Sequence, residues 1–299
     1  MKKTKLNLSG RSVPAKIYMN LVLSKKITFV KNTIQMFSNL FRKLVDLSPK
    51  LSLTIWKYFY EITALLFRKM TGWKFMNYGF AGTENSSGDY NTLSANMYQH
   101  LLDQTKVEKG AYALEVGSGR GGGCDLLLKY DPALVTGIDF SKNATEFCKR
   151  NYQDKRLRFI TGNAENLPFE DNSFDIIINV ESSHCYGSRA DFFKEVARTL
   201  KPSGIFLYSD FMSRMHYPKR PAQLEACGLK ILSEQEITPQ VLKSMDLSRP
   251  YKEDLLRKMV LKPFRKSIAD FVGLPGSNIY NKFANGEVIY FSFICSKAN

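Results

Sequence analysis

Three kinds of residue in this chain have the chemistry to build a site: a glycine run preceded by an acid, a carboxylate closing an apolar run, and a histidine in a polar loop. The glycine run is Leu114-Glu115-Val116-Gly117-Ser118-Gly119-Arg120-Gly121-Gly122-Gly123. It follows a strand-like segment and opens a helical one. Glycines there permit a tight turn and let a ligand approach the backbone closely. Asp139 closes the next apolar run, twenty residues beyond Gly119, where a carboxylate can accept both hydroxyls of a ribose. Gly117, Gly119 and Gly122 also satisfy G-x-G-x-x-G, so a dinucleotide and S-adenosylmethionine both fit at this point. The bland readings are a structural turn and an N-cap aspartate. Ser141, itself a good N-cap, weakens the second.

Three further features separate the ligands. Glu115 lies two residues before the first glycine, which suits a ligand bearing an ammonium group better than a pyrophosphate. Gly162-Asn163-Ala164-Glu165 follows a third strand-like run, where an adenine edge would lie. Arg198-Thr199-Leu200-Lys201-Pro202-Ser203-Gly204 then turns a helix into a strand. The chain has three histidines, at 100, 184 and 216. His184 stands just past a strand's C-terminal end, where ligands bind in open α/β sheets. Glu181, three residues earlier, can orient the imidazole or face a substrate. His100 and Cys185 read as packing residues.

The elements that must position these residues alternate. Strand-like runs at 111–116, 134–139, 157–161, 174–180 and 205–211 are separated by helical segments near 121–130, 141–152 and 188–200. Such alternation predicts a mostly parallel sheet with helices on both faces. Ser188 with Asp191 reads as a capping box. Residues 286–296 form a last strand after a helical, irregular segment.

Composition narrows the class. At 299 residues, 44% hydrophobic and 24% charged, the chain can bury a full core without disulfides or metals. Five cysteines with no C-x-x-C pair argue against a disulfide framework and a zinc site. The net charge is +15, of which residues 1–75 carry +13. The nearly neutral remainder argues against a broad nucleic-acid footprint. No stretch of 18 residues lacks a charge, so no membrane span is expected. Val30, Ile34, Phe37, Phe41 and Leu44 form one helical stripe, and a second apolar helix is expected from Leu51 to Met70. Aromatics 56–60 lie on it.

In this order, over residues 111–211, the motifs resemble those of class I S-adenosylmethionine-dependent methyltransferases. With Phe75-Met76-Asn77-Tyr78, Asn179-Val180-Glu181-Ser182-Ser183-His184-Cys185-Tyr186, Glu236-Ile237-Thr238 and Gly286-Glu287-Val288, the chain is similar to the phthiotriol and phenolphthiotriol dimycocerosate O-methyltransferases. That resemblance implies an α/β, Rossmann-like, seven-stranded sheet, mostly parallel with an antiparallel last strand. It implies S-adenosylmethionine as cofactor. Gly117, Ser118 and Gly119 would hold the methionine portion, with Glu115 near its ammonium group. Asp139 would take the ribose, Phe140 would pack on the adenine, and Asn163 and Ala164 would meet its edge. Asn179 completes the implied set. Many relatives carry Asp where Asn163 stands, but an amide oxygen can still accept from the adenine amino group.

The reading is an enzyme in two parts: a basic helical extension at 1–75 and a methyltransferase domain at 76–299. Residues 240–285 would cap the acceptor pocket. The expected acceptor is a hydroxyl of a hydrophobic small molecule, with His184 as general base and Glu181 beside it. No metal and no nucleic acid are expected. Residues 1–75 are expected on an anionic membrane surface of a cytoplasmic protein, a lid being the competing reading. Carbon methylation of a sterol or quinone precursor is the runner-up. A basic interaction protein with a vestigial cofactor domain is the alternative from another class.

Overall fold

The computed structural model describes residues 72–82, 88–260 and 265–298, together with Glu61, Ala64 and Leu65. The amphipathic stripe at 30–44, the aromatics at 56–60 and the membrane-surface reading of the extension lie outside the described residues.

Within residues 88–298 the elements run α1 (Tyr90–Leu102), then β1 (Tyr112–Val116), α2 (Gly122–Leu127), β2 (Leu134–Asp139), α3 (Lys142–Asn151), β3 (Leu157–Thr161) and β4 (Phe174–Val180). There follow α4 (Arg189–Thr199), β5 (Leu200–Ser213), α5 (Arg220–Glu225) and β6 (Leu229–Glu236). Four helices come next: α6 (Thr238–Leu247), α7 (Arg249–Met259), α8 (Arg265–Phe271) and α9 (Asn278–Ala284). β7 (Val288–Lys297) ends the fold.

The seven strands lie in the order β3-β2-β1-β4-β5-β7-β6. β1 pairs parallel with both β2 and β4, with Glu115 opposite Gly137 on one side and Ile178 on the other. β7 runs antiparallel to β5 and β6, as the resemblance implied. Strand order reverses between β1 and β4, and such a switch point leaves a crevice at the strands' C-terminal ends. Both strands are almost wholly buried, which is why they read as continuous apolar runs.

Each face of the sheet has its own core. Met97, Leu101, Leu127, Phe147 and Met245 belong to one cluster. Phe192, Phe193, Val196, Phe206 and Tyr208 belong to the other. Local signals set the helix starts. Ser141 Oγ accepts from Ala144 N at 3.1 Å, and Ser188 Oγ accepts from Asp191 N at 3.2 Å. Each such cap contributes about 0.5–2 kcal/mol.

Of the helices between β6 and β7, α6 and α9 pack at the crevice end of the sheet. Ser244 on α6 donates to the Tyr78 carbonyl at 2.9 Å. Phe283 on α9 packs edge-on against Tyr78 and Phe211, at 5.9 and 5.7 Å between ring centroids. Trp73 and Phe75, from the end of the basic segment, are buried against the body. All five cysteines are free thiols. Among the described residues no helix is long and apolar enough to cross a membrane.

Candidate active site

The glycine loop leaves β1 in a conformation few other residues tolerate. Gly117 has φ +75°, and a Cβ there would lie 2.3 Å from Ser182 Oγ and 2.7 Å from Ser182 Cβ. A Cβ on Gly122 would lie 2.5 Å from the Lys74 carbonyl and 2.8 Å from the Phe75 ring. The 73–77 strap therefore lies directly on the loop, and the glycines give it room. Ser118 is buried, and among the described residues its Oγ has no hydrogen-bond partner.

Asp139 reaches back to the loop. Its Oδ2 accepts from Gly119 N at 2.8 Å and its Oδ1 from Ser141 N at 2.9 Å. Burial pushes its carboxyl up to about 6, against those two bonds. A carboxylate offers about four acceptor sites, so two remain for a ligand. Phe140 is half-buried beside it. Glu61 also arrives here: its Oε1 accepts from Lys142 N at 2.6 Å, at the start of α3. Part of the basic extension thus touches the rim of this crevice. Ala164 is buried, whereas Asn163 is exposed and its Oδ1 caps Glu165 N at 3.1 Å.

Glu115 lies deeper than the spacing implied. Its Oε1 accepts from Tyr98 Oη at 2.7 Å and its Oε2 from Cys124 Sγ at 2.9 Å. It is 1% exposed, and burial pushes its carboxyl up to about 7. The carboxylate stands beneath the loop, on α1 and α2, with both oxygens engaged internally.

A second cluster forms where β4 and β5 end. His184 sits in a 3-10 turn, Ser183–Cys185. Its Nδ1 lies 2.8 Å from Asp210 Oδ1, and its backbone N donates to Asp210 Oδ2 at 2.9 Å. Asp210 also accepts from Ser183 Oγ at 2.5 Å. An ionised carboxylate only accepts, so Nδ1 carries the proton and Nε2 is the nitrogen that can take another. Burial opposes the imidazolium, but Cys185 and Asp210 act more strongly the other way, and the His184 pKa stands well above its ordinary value. Burial likewise opposes the charge on Asp210, yet His184 holds that carboxyl below its usual range.

Glu181 adopts φ 50°, a left-handed conformation costing roughly 1–3 kcal/mol for a non-glycine residue. Two donors hold it there: Tyr78 N at 2.8 Å and Tyr290 Oη at 2.9 Å, both to Oε2. Burial pushes its carboxyl up to about 8. Asn179 bridges the two clusters. Its Nδ2 donates to the Val116 carbonyl at 2.9 Å and to Ser182 Oγ at 2.7 Å, while its buried Oδ1 has no partner among the described residues.

This geometry has relatives. The family described as a methyltransferase domain matches residues 114–208. The phthiotriol/phenolphthiotriol dimycocerosates methyltransferase of Mycobacterium tuberculosis is 33% identical over 213 residues, covering 71% of this chain and 78% of that one. The chain belongs to the class I S-adenosylmethionine-dependent methyltransferases, in the phthiotriol/phenolphthiotriol dimycocerosate methyltransferase family. A fatty-acid O-methyltransferase of Mycolicibacterium smegmatis is 37% identical over 179 residues, 58% of this chain and 65% of that one. In fold, this methyltransferase is similar to the geranyl diphosphate C-methyltransferase of Streptomyces coelicolor. The TM-score is 0.61 at 16% identity, over 83% of this chain and 98% of that one. With an enzyme's fold and an intact loop, the vestigial-domain alternative falls away.

The residues present suit the cofactor. Among the described residues two buried oxygens, on Ser118 and Asn179, lack partners, and Asp139 has acceptor capacity left beside the loop. Buried polar atoms are rarely left unpaired without reason. Gly117→Ala in this methyltransferase is expected to cost more stability than Gly110→Ala. Both have positive φ, +75° and +78°, but nothing lies within 4 Å of a Cβ on Gly110. Backbone strain alone predicts about 1–3 kcal/mol for each. Denaturant unfolding of the two variants reads the excess due to Ser182.

Sequence reasoning missed Asp210, Tyr290 and Lys252. Asp210 carried one signal, an acid inside the apolar run 205–211. Lys252 carried another, a lysine four residues before Leu256 on a helix, where the face turns inward.

Proposed function

We propose that this methyltransferase transfers the methyl group to a hydroxyl of a hydrophobic, lipid-like acceptor, with His184 as general base. The observation that carries the reading is the His184–Asp210 pair at the C-terminal ends of β4 and β5. An alcohol loses its proton as the new C–O bond forms, and a positioned imidazole contributes on the order of 10²–10⁴-fold to such a step. A carbon acceptor needs no such base in the same way. The relatives named above carry lipid acceptors in their names, and aromatic side chains surround the pair here. Phe211 packs on the His184 ring at 4.4 Å between centroids, and Tyr78 on Phe211 at 5.8 Å.

The cofactor supplies an electrophilic sulfonium methyl, so the protein's tasks are positioning and proton removal. The backbone of Gly117 to Gly119 and the Ser118 hydroxyl would hold its methionine portion, with Glu115 acting from beneath the loop. Asp139 would accept from the ribose hydroxyls, and Phe140, Asn163 and Ala164 would border the adenine. Asn179 Oδ1 would accept from the cofactor side. Asp210 holds the imidazole in one tautomer, with Nε2 to receive the acceptor's proton. Glu181 would hold the Tyr78 strap at the acceptor's edge.

The test is incubation with S-adenosylmethionine and a long-chain diol, followed by mass spectrometry and NMR of the extract. An O-methyl ether is the expected product. A methyl on carbon, or no transfer to any hydroxyl-bearing lipid, overturns the reading.

A further inference from the structure

The cap helix α7 turns one of its cations inward. Arg249 pairs with Glu253 at 2.8 Å, and Arg257 and Lys258 pair with Asp254 at 2.6 Å, all on the exposed side. Lys252 is 3% exposed, on the face that also buries Leu256. Among the described residues its Nζ has no hydrogen-bond partner. The ammonium lies 5.8 Å from the Tyr78 ring centroid and 5.6 Å from that of Tyr90. Ring faces attract a cation, but they leave its three N–H donors unfilled.

Taking an ammonium out of water without a partner is among the costlier arrangements a fold can hold. Burial lowers the Lys252 pKa to about 8, with the field of Glu181 opposing. Among the described residues no hydrogen bond joins Glu181 to it; the Glu181 Oε2 accepts instead from Tyr78 N and Tyr290 Oη. Tyr78 is the common neighbour. It touches Lys252 by its ring and Glu181 by its N–H, and its ring packs on Phe211, which packs on His184. The unfilled cation therefore belongs to the acceptor side of the site.

We propose that Lys252 receives a carboxylate carried by the acceptor, so that the molecule methylated is a lipid-like hydroxy acid and not a neutral alcohol. This rests on the acceptor reading above and adds to it the acceptor's charge. One buried ammonium matches one negative charge. A phosphate monoester brings about 1.5–2, more than one ammonium neutralises. Lys252 is thus a specificity-determining residue that places the acceptor's hydroxyl by holding its acid group.

Calorimetry on the full chain with S-adenosylhomocysteine present allows binding without transfer. The probes are β-hydroxymyristic acid and its methyl ester, which share chain and hydroxyl and differ in charge. Wild type is expected to bind the acid about tenfold or more tightly than the ester, a gap of about 1.4 kcal/mol. Lys252→Met should abolish that gap while S-adenosylhomocysteine affinity is kept, and Lys252→Arg should retain most of it. Equal binding of acid and ester by wild type overturns the proposal and requires no variant to fold. So does a gap that survives in Lys252→Met. Failure of the hydroxyl reading is separate, since it would show as absence of O-methyl ether when β-hydroxymyristic acid, the tighter-bound probe, is supplied with S-adenosylmethionine.

Discussion

His184→Gln is expected to lower turnover by on the order of 10²–10⁴-fold while cofactor affinity stays unchanged. Glutamine keeps a polar side chain of similar reach but cannot take a proton at neutral pH. The partner variant, Asp210→Asn, removes the charge that fixes the Nδ1 tautomer 2.8 Å away. The pH dependence gives the sharper sign. Cys185 and Asp210 outweigh burial and hold the His184 pKa well above its ordinary 6.5. A base must be unprotonated to act, so the wild-type rate should rise with pH through a limb on the alkaline side of that value. In Asp210→Asn the limb should move to lower pH, because the carboxylate favouring the imidazolium is gone, and the plateau should fall. Stopped-assay pH–rate profiles of the three proteins measure both. Retained turnover in His184→Gln, with the limb unmoved in Asp210→Asn, would make the pair structural and raise the carbon-acceptor reading.

The legible and illegible parts of this site divide by how local their causes are. The glycine loop was readable because Gly117 answers to its own φ and to one close neighbour, Ser182, just past the end of β4. The caps at Ser141 and Ser188 close over three residues. The sheet was readable because strands buried on both faces write continuous apolar runs. Glu115 shows the limit. Its spacing from Gly117 gave its height on β1 but not the two partners, Tyr98 and Cys124, that turn its carboxylate inward. Asp210 is 26 residues from His184 along the chain and meets it only through the β4–β5 pairing. Lys252 is farther still: nothing near it in sequence says that its helix folds back over Tyr78. Asn163 follows β3 as its place in the sequence implied, but its side chain serves the turn to Glu165, a use that would compete with an adenine contact.

Asp139→Ala should weaken S-adenosylmethionine binding by about 1.5–3 kcal/mol, the range for hydrogen bonds to a charged group, or roughly 10–150-fold in affinity. The carboxylate already accepts two backbone N–H groups, from Gly119 and Ser141. Asparagine is therefore no gentle control, since its NH₂ would face one of those donors. Burial places the carboxyl at about 6 in the unliganded protein, and ribose hydroxyls donate to its ionised form. Wild-type affinity should then be flat above pH 6 and fall with pH below it, approaching about tenfold per unit, while Asp139→Ala should lose this dependence. Folding stability moves the opposite way. The folded-state value lies above the ordinary 3.8, so this group's contribution to stability is fully present below 3.8 and is lost as pH rises through about 6. Burial gives Glu115 and Glu181 the same sign, at about 7 and about 8. Calorimetric titration of the cofactor and denaturant unfolding of the unliganded chain, each from pH 5 to pH 8, would therefore diverge: affinity rises to about pH 6 and then stays flat, while these three groups' contribution to stability falls throughout. Unchanged affinity in Asp139→Ala, or a wild-type affinity that ignores pH, would remove Asp139 from the cofactor site and leave its two backbone bonds as its whole role.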